Sequence, residues 1–158
     1  MSQCLRPVLS ADAWQKLAAY RVARLGTVDP RGRPQVIPIC FAVDGSAIYS
    51  ALDEKPKRVQ ARDLSRVRNL LAHPEVTVTV DDYSEDWTKL SYLMVHGVAD
   101  LLGVGTALHN DAVRLLRAKY PQYGKMAIER QPVIRVTPTS CHAWSSAPGP
   151  GTLDQARR

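Results

Sequence analysis

The sequence predicts a mostly β domain, a small antiparallel barrel with a few helices at its periphery. Three observations lead there. Short alternating or apolar segments are separated by turn residues, with Asp44-Gly45 a plain two-residue hairpin signal. The order helix, three strands, helix, two strands, helix, two strands fits a chain of hairpins rather than parallel βαβ units. No GxGxxG, Walker or GxSxG motif is present, so the common nucleotide folds and the hydrolase elbow have no support.

The elements follow in chain order. Residues 10–20 read as a helix, with Ser10 a suitable N-cap and Trp14, Leu17 and Ala18 on one face. Residues 22–28 are a strand, and DPRGR after it has the composition of a turn. Residues 34–43 form a second strand. Pro38 removes one ladder hydrogen bond there, so this strand lies at an edge or carries a bulge. Residues 47–52 are the third strand. A helix over 63–72 turns Leu64, Val67, Leu70 and Leu71 to the core, and Pro74 ends it. VTVTV alternates strictly as a strand, DYSEDWT is a loop, and residues 89–103 are a long strand with a bulge or bend at Gly97. Residues 106–120 are a third helix, and RQPVIRV and SCHAWSS are two closing strands.

A length of 158 residues favours one domain, here residues 1–146, followed by a loose tail over 147–158. No apolar run approaches the ~18 residues that span a bilayer, and the first residues lack a signal-peptide pattern. The expectation is a cytoplasmic protein with no membrane partner. Cys4, Cys40 and Cys141 are odd in number and lack metal-ligand spacing, against both a disulfide framework and a zinc site.

The formal net charge of +6 suits an anionic partner. Much of it is concentrated in Lys55, Lys57, Arg58, Arg62, Arg66 and Arg68, at the approach to the second helix. Such a cluster either holds a phosphate or forms a solvated basic face. Nucleic-acid binding through it is disfavoured, because no aromatic residues are interleaved and no recognised motif is present. His73, His96, His109 and His142 form no catalytic constellation, and a core or surface role fits each. Asp81, Asp82, Glu85 and Asp86 could hold a metal, but a solvated loop fits better because their spacing matches no calcium loop.

The run ARLGTVDPRGRPQVIPICFAVDG, the basic loop, RVRNLLAHPEVTVTVDDY, a tryptophan and a strand ending in HGVADLL together resemble the pyridoxamine-5'-phosphate oxidase-like superfamily. That resemblance implies a six- to seven-stranded antiparallel split β-barrel. KPKR followed by DDYSEDWTKL most resembles the members that use the deazaflavin coenzyme F420. Others bind FMN, and some bind haem or have no known reaction. The resemblance also implies a homodimer with two cofactor sites at the subunit interface.

By the family pattern, Arg66 holds a phosphate, with Lys55, Lys57 and Arg58 on the loop leading to it. The ring would lie along the second and third strands, against backbone groups of Val36, Ile37, Pro38 and Ile39, with Ser50 and Ala51 opposite. Trp87 either covers the ring or anchors a core or interface, and Trp144 either completes the site from the partner or serves the dimer contact. A vitamin B6 oxidase of this family carries an Arg-x-His-type motif near its C-terminus, where this chain has SCHAWSSAPG. The expected function is therefore hydride transfer between F420 or FMN and a small organic molecule. The alternative is a flavin- or haem-binding carrier or sensor without turnover.

Overall fold

The computed structural model describes residues 7–52 and 64–147. Lys55, Lys57, Arg58 and Arg62, and all of the tail beyond residue 147, lie outside the described residues. Seven strands form one antiparallel sheet: β1 (Ala23–Val28), β2 (Pro34–Ile39), β3 (Ala42–Val43), β4 (Ile48–Ala51), β5 (Glu75–Asp82), β6 (Ser91–Leu102) and β7 (Val133–Ser145). Their order is β2-β1-β5-β6-β7-β4-β3. Helices α1 (Ala11–Ala19), α2 (Ser65–Ala72) and α3 (Ala107–Lys119) lie at the periphery.

The two sheet edges, β2 and β3, are consecutive in the chain. Only Cys40 and Phe41 separate them, so the sheet curls into a half-barrel whose edges meet at that corner. Pro38 sits on an edge strand, where its missing N–H leaves no gap inside the sheet. At the corner the ladder gives way to side-chain bonds. The Tyr120 hydroxyl accepts from the Phe41 N–H at 3.0 Å and lies 2.8 Å from the Phe41 carbonyl and 2.7 Å from that of Arg21. Ser50 Oγ donates to the Cys40 carbonyl at 2.9 Å, tying β4 to the corner.

Alternation divides the core in two. Leu25, Ile48, Val67, Leu70, Val78, Leu93 and Val95 fill the curl of the sheet. Tyr49, Ala51, Val113, Leu116, Tyr120 and Val133 pack beneath α3. Strand β4 is buried on both faces for this reason. His109 is buried in α3, with Nε2 2.8 Å from the Gln131 carbonyl.

Several local expectations change. Strand 34–43 breaks at the corner into β2 and β3. The Asp44-Gly45 turn is longer than two residues: the Asp44 carboxylate accepts from the Ser46 and Ala47 amides, and Gly45 takes φ +86°. Ala18 is exposed in α1, and Ala13 packs beside Trp14 and Leu17 instead. In α2, Leu71 is 64% exposed while Asn69 is buried, donating to Thr27 Oγ1 and Gln35 Oε1. The two closing strands are one, β7, which runs through Pro138. That proline faces Gly97 at a register shift in the β6–β7 ladder, where the regular bonds are already interrupted. Gly97 is required there, since a Cβ would stand 2.6 Å from the Thr137 carbonyl oxygen.

Candidate functional site

The corner between β2 and β3 carries a pocket of about 240 Å³. Pro38, Ile39 and Cys40 form one wall, and Ser50 and Ala51 of β4 face them. Arg66 enters from α2, and Val22 and Tyr123 close the remaining side. Five residues singled out from sequence thus meet around one cavity: Pro38, Ile39, Ser50, Ala51 and Arg66. Arg66 has no carboxylate partner among the described residues.

A second pocket, about 340 Å³, lies on the other flank of α2. Arg31 and Arg33 of the β1–β2 turn, Gln35, Ser65, Arg68 and Asn69 line it. Asp29 organises the turn. Its carboxylate accepts from the Arg31 and Arg33 amides at 2.9 Å and from Arg33 Nε at 2.7 Å. These bonds, those from Arg33 foremost, hold its carboxyl below the usual range. Arg33 is thereby neutralised, while Arg31 and Arg68 have no acidic partner among the described residues.

Helix α2 begins between the two pockets. Its N-cap, Leu64, supplies no side-chain acceptor, and its first turn carries no acid. No side chain among the described residues caps its first amides, and such a helix start suits an anion. This second pocket was not anticipated as a unit. One signal was available: two residues of helix rotate by about 200°, so Arg66 and Arg68 must face opposite flanks.

The other expected residues lie elsewhere. Val36 is 67% exposed and lines a groove of about 770 Å³ on the solvent side of the sheet, with Gly26, Thr77, His96 and Val98. Ile37 packs partly buried against the core. Trp87 opens a short 3-10 turn, Trp87–Lys89, and is 70% exposed. Trp144 stacks on Tyr92 with ring centres 5.8 Å apart, and His142 flanks the same tyrosine at 5.7 Å. The acidic residues are engaged by their surroundings. Asp81 pairs with Arg24 at 2.8 Å, Asp82 accepts from Tyr20 and Ser91, Glu85 accepts from Tyr83, and Asp86 caps the Thr88 turn. No group of three or more His, Cys, Asp or Glu placed to hold a metal occurs among the described residues. No helix among them is long and apolar enough to cross a membrane.

Comparison with known proteins adds the following. A family model described as pyridoxamine 5'-phosphate oxidase matches residues 11–145. HutZ, the heme storage protein from Vibrio cholerae, shares 15% identity with a TM-score of 0.66, over 85% of this chain and 89% of that one. A FAD-binding protein from Mesorhizobium loti shares 24% at a TM-score of 0.62, over 85% and 94%. A solved structure of an F420 reductase shares 24% at a TM-score of 0.56, over 81% and 94%. Likeness at these identities is likeness of fold. No curated protein matches the sequence.

Proposed function

This chain belongs to the pyridoxamine 5'-phosphate oxidase family, and on that premise we propose that it is a cofactor-dependent oxidoreductase, passing hydride between coenzyme F420 or FMN and a small organic substrate. The observation that carries this reading is the corner pocket, which combines an arginine without a carboxylate partner among the described residues with the Pro38–Cys40 wall. Such a cavity matches a ligand with an anionic tail and a flat apolar head.

The residues fit such a group in their chemistry. Arg66 would hold the phosphate through charge-assisted hydrogen bonds, and Arg31 and Arg68 offer a separate anion seat on the other flank of α2. The Pro38–Cys40 wall would lie along the ring, and as an edge strand it leaves backbone groups free to bond to it. Ser50 keeps that wall in place through the Cys40 carbonyl. The bound cofactor would supply the hydride chemistry. The chain's own part is to bind, orient and keep out water, which accounts for the scarcity of acid–base groups along the pocket.

One protomer offers about 240 Å³, less than the ~300–1,000 Å³ typical of cofactor sites. A homodimer would provide the missing wall. Val36, Val98 and Trp144 are exposed apolar residues suited to that contact. The expected setting is cytoplasmic.

Anaerobic fluorescence titration with FMN and with F420 tests the proposal. Micromolar binding of one supports it, and binding of neither overturns it. A second reading, a cofactor carrier or sensor without turnover, draws on the absence of histidine, aspartate and glutamate among the described residues lining the pocket. Bound cofactor with no reduction of any substrate in a broad panel would favour it. Its haem variant needs an axial ligand, and among the described residues lining the corner pocket only Cys40 and Tyr123 are of a type that could serve. A Soret band absent after haem reconstitution would dismiss that variant.

A further inference from the structure

A lysine whose amino group is shielded from solvent stands behind the wall of the corner pocket. Lys119 is the last residue of α3. Its Nζ is shielded from solvent and has no hydrogen-bond partner among the described residues. It lies 4.2 Å from the ring centre of Phe41 and 5.7 Å from that of Tyr120. Phe41 is fully buried and directly follows Cys40, which lines the pocket.

Burial first, and then the Arg21 guanidinium, push the Lys119 ammonium down to about 8, while negative charge on Cys40 would push it back up. The carbonyls at the end of α3 favour the ammonium, but burial outweighs them. The charged and titratable groups around Lys119 are Arg21 from the segment between α1 and β1, Cys40 from the corner and Tyr120 from the α3 C-cap. Arg66 of α2 and Tyr123 lie across the pocket. Arg21 also donates to the Lys119 carbonyl, which keeps a second cation nearby. Negative charge arriving at the Cys40 wall therefore meets an amine that is easily protonated and has no competing carboxylate among these groups.

We propose that Lys119 is the proton acceptor coupled to reduction of a redox heterocycle seated against the Cys40 wall. This rests on the functional reading above. A hydride, two electrons and one proton, enters the pocket from a donor and adds one negative charge at the wall. Above about pH 8, where the Lys119 amine is largely neutral, it then takes up a proton from solvent and becomes an ammonium, and no protein bond breaks. Dithionite with a proton from water delivers the same equivalents as the hydride donor. By linkage, the ammonium in turn favours the reduced state.

The test is an NMR titration of protein labelled at lysine ¹³Cε and ¹⁵Nζ. It is run on the free protein, on protein loaded with FMN or F420, and on the loaded protein after reduction with dithionite. The Lys119 signal is assigned by its loss in Lys119→Met. In free protein it should titrate near pH 8, and on reduction its proton affinity should rise by at least ~10-fold, a full pH unit. In weakly buffered solution one pH unit above the free midpoint, indicator dye should show at least about 0.4 proton fewer taken up per heterocycle reduced in Lys119→Met than in wild type. An ordinary lysine midpoint in free protein overturns the proposal. So does an unchanged midpoint on reduction, or equal proton uptake in the variant, and both leave the cofactor reading intact. Binding of neither cofactor overturns both.

Discussion

The β6–β7 ladder and the Cys40–Phe41 corner are built by opposite rules. In the ladder every residue from Ser91 to Leu102 has a partner on β7, and even the charges are matched, Arg135 donating to both oxygens of Asp100. At the corner the ladder stops and side chains take over, and the cations Arg66 and Lys119 have no carboxylate partner among the described residues. The ladder spends its polar groups on itself, while the corner holds some in reserve. Ligand chemistry belongs where pairing is incomplete, because a fully paired strand has nothing left to offer.

The contrast can be broken most severely from the ladder side. Gly97→Val would drive a side chain into the Thr137 backbone. We expect a loss of about 3 kcal/mol in urea unfolding, with cofactor affinity of the folded fraction unchanged. From the corner side, Arg66→Ala should weaken a phosphate-bearing cofactor by ~1.5–3 kcal/mol, roughly 10- to 100-fold in Kd, without shifting the melting temperature. Arg68→Ala, measured beside it, shows which flank of α2 carries the anion.

Tyr120→Phe removes the hydroxyl that serves the Phe41 backbone and leaves that N–H buried. About 1.5 kcal/mol should be lost, and the corner should show faster amide exchange than the ladder. A gentler effect is one of pH. Lys119 is depressed in the folded protein, so its burial opposes folding fully below about pH 8, and that penalty fades as pH rises toward the ordinary lysine range. Stability should climb over that interval, and Lys119→Met should flatten the climb. Tyr49 acts in the opposite sense at higher pH: burial and the Asp44 carboxylate raise it to about 12, so its contribution is lost as the solution passes from 10 to 12. Smallest of all, Asp100→Asn on the half-exposed ion pair should cost about 0.5 kcal/mol.

Local chemistry made much of the fold readable. VTVTV could only be a half-buried strand, Pro38 marked an edge, and Gly97 marked a bulge. The continuity of β7 through Pro138 was not readable, because a proline breaks a strand in isolation and only the facing Gly97 makes it tolerable. Leu71 fits the apolar stripe of α2 by periodicity, yet Asn69 takes the buried place by bonding to Thr27 and Gln35, residues more than thirty positions away. Family likeness named Pro38, Ile39, Ser50, Ala51 and Arg66 of the corner pocket, but not Val22, Cys40 or Tyr123. The arginine pocket and the shielding of Lys119 depend on how distant turns converge, which periodicity does not encode.

The two-residue link between the outermost strands sets the girth of the whole barrel. With so short a tether, neither rim can drift from the other without tearing Ser50 from Cys40 or Tyr120 from Phe41. Lengthening that tether by a residue or two would widen the mouth between the rims while leaving the remaining staves in register. Relatives that accommodate bulkier guests should therefore carry their insertions at this clasp, and shortening it should pinch the mouth shut.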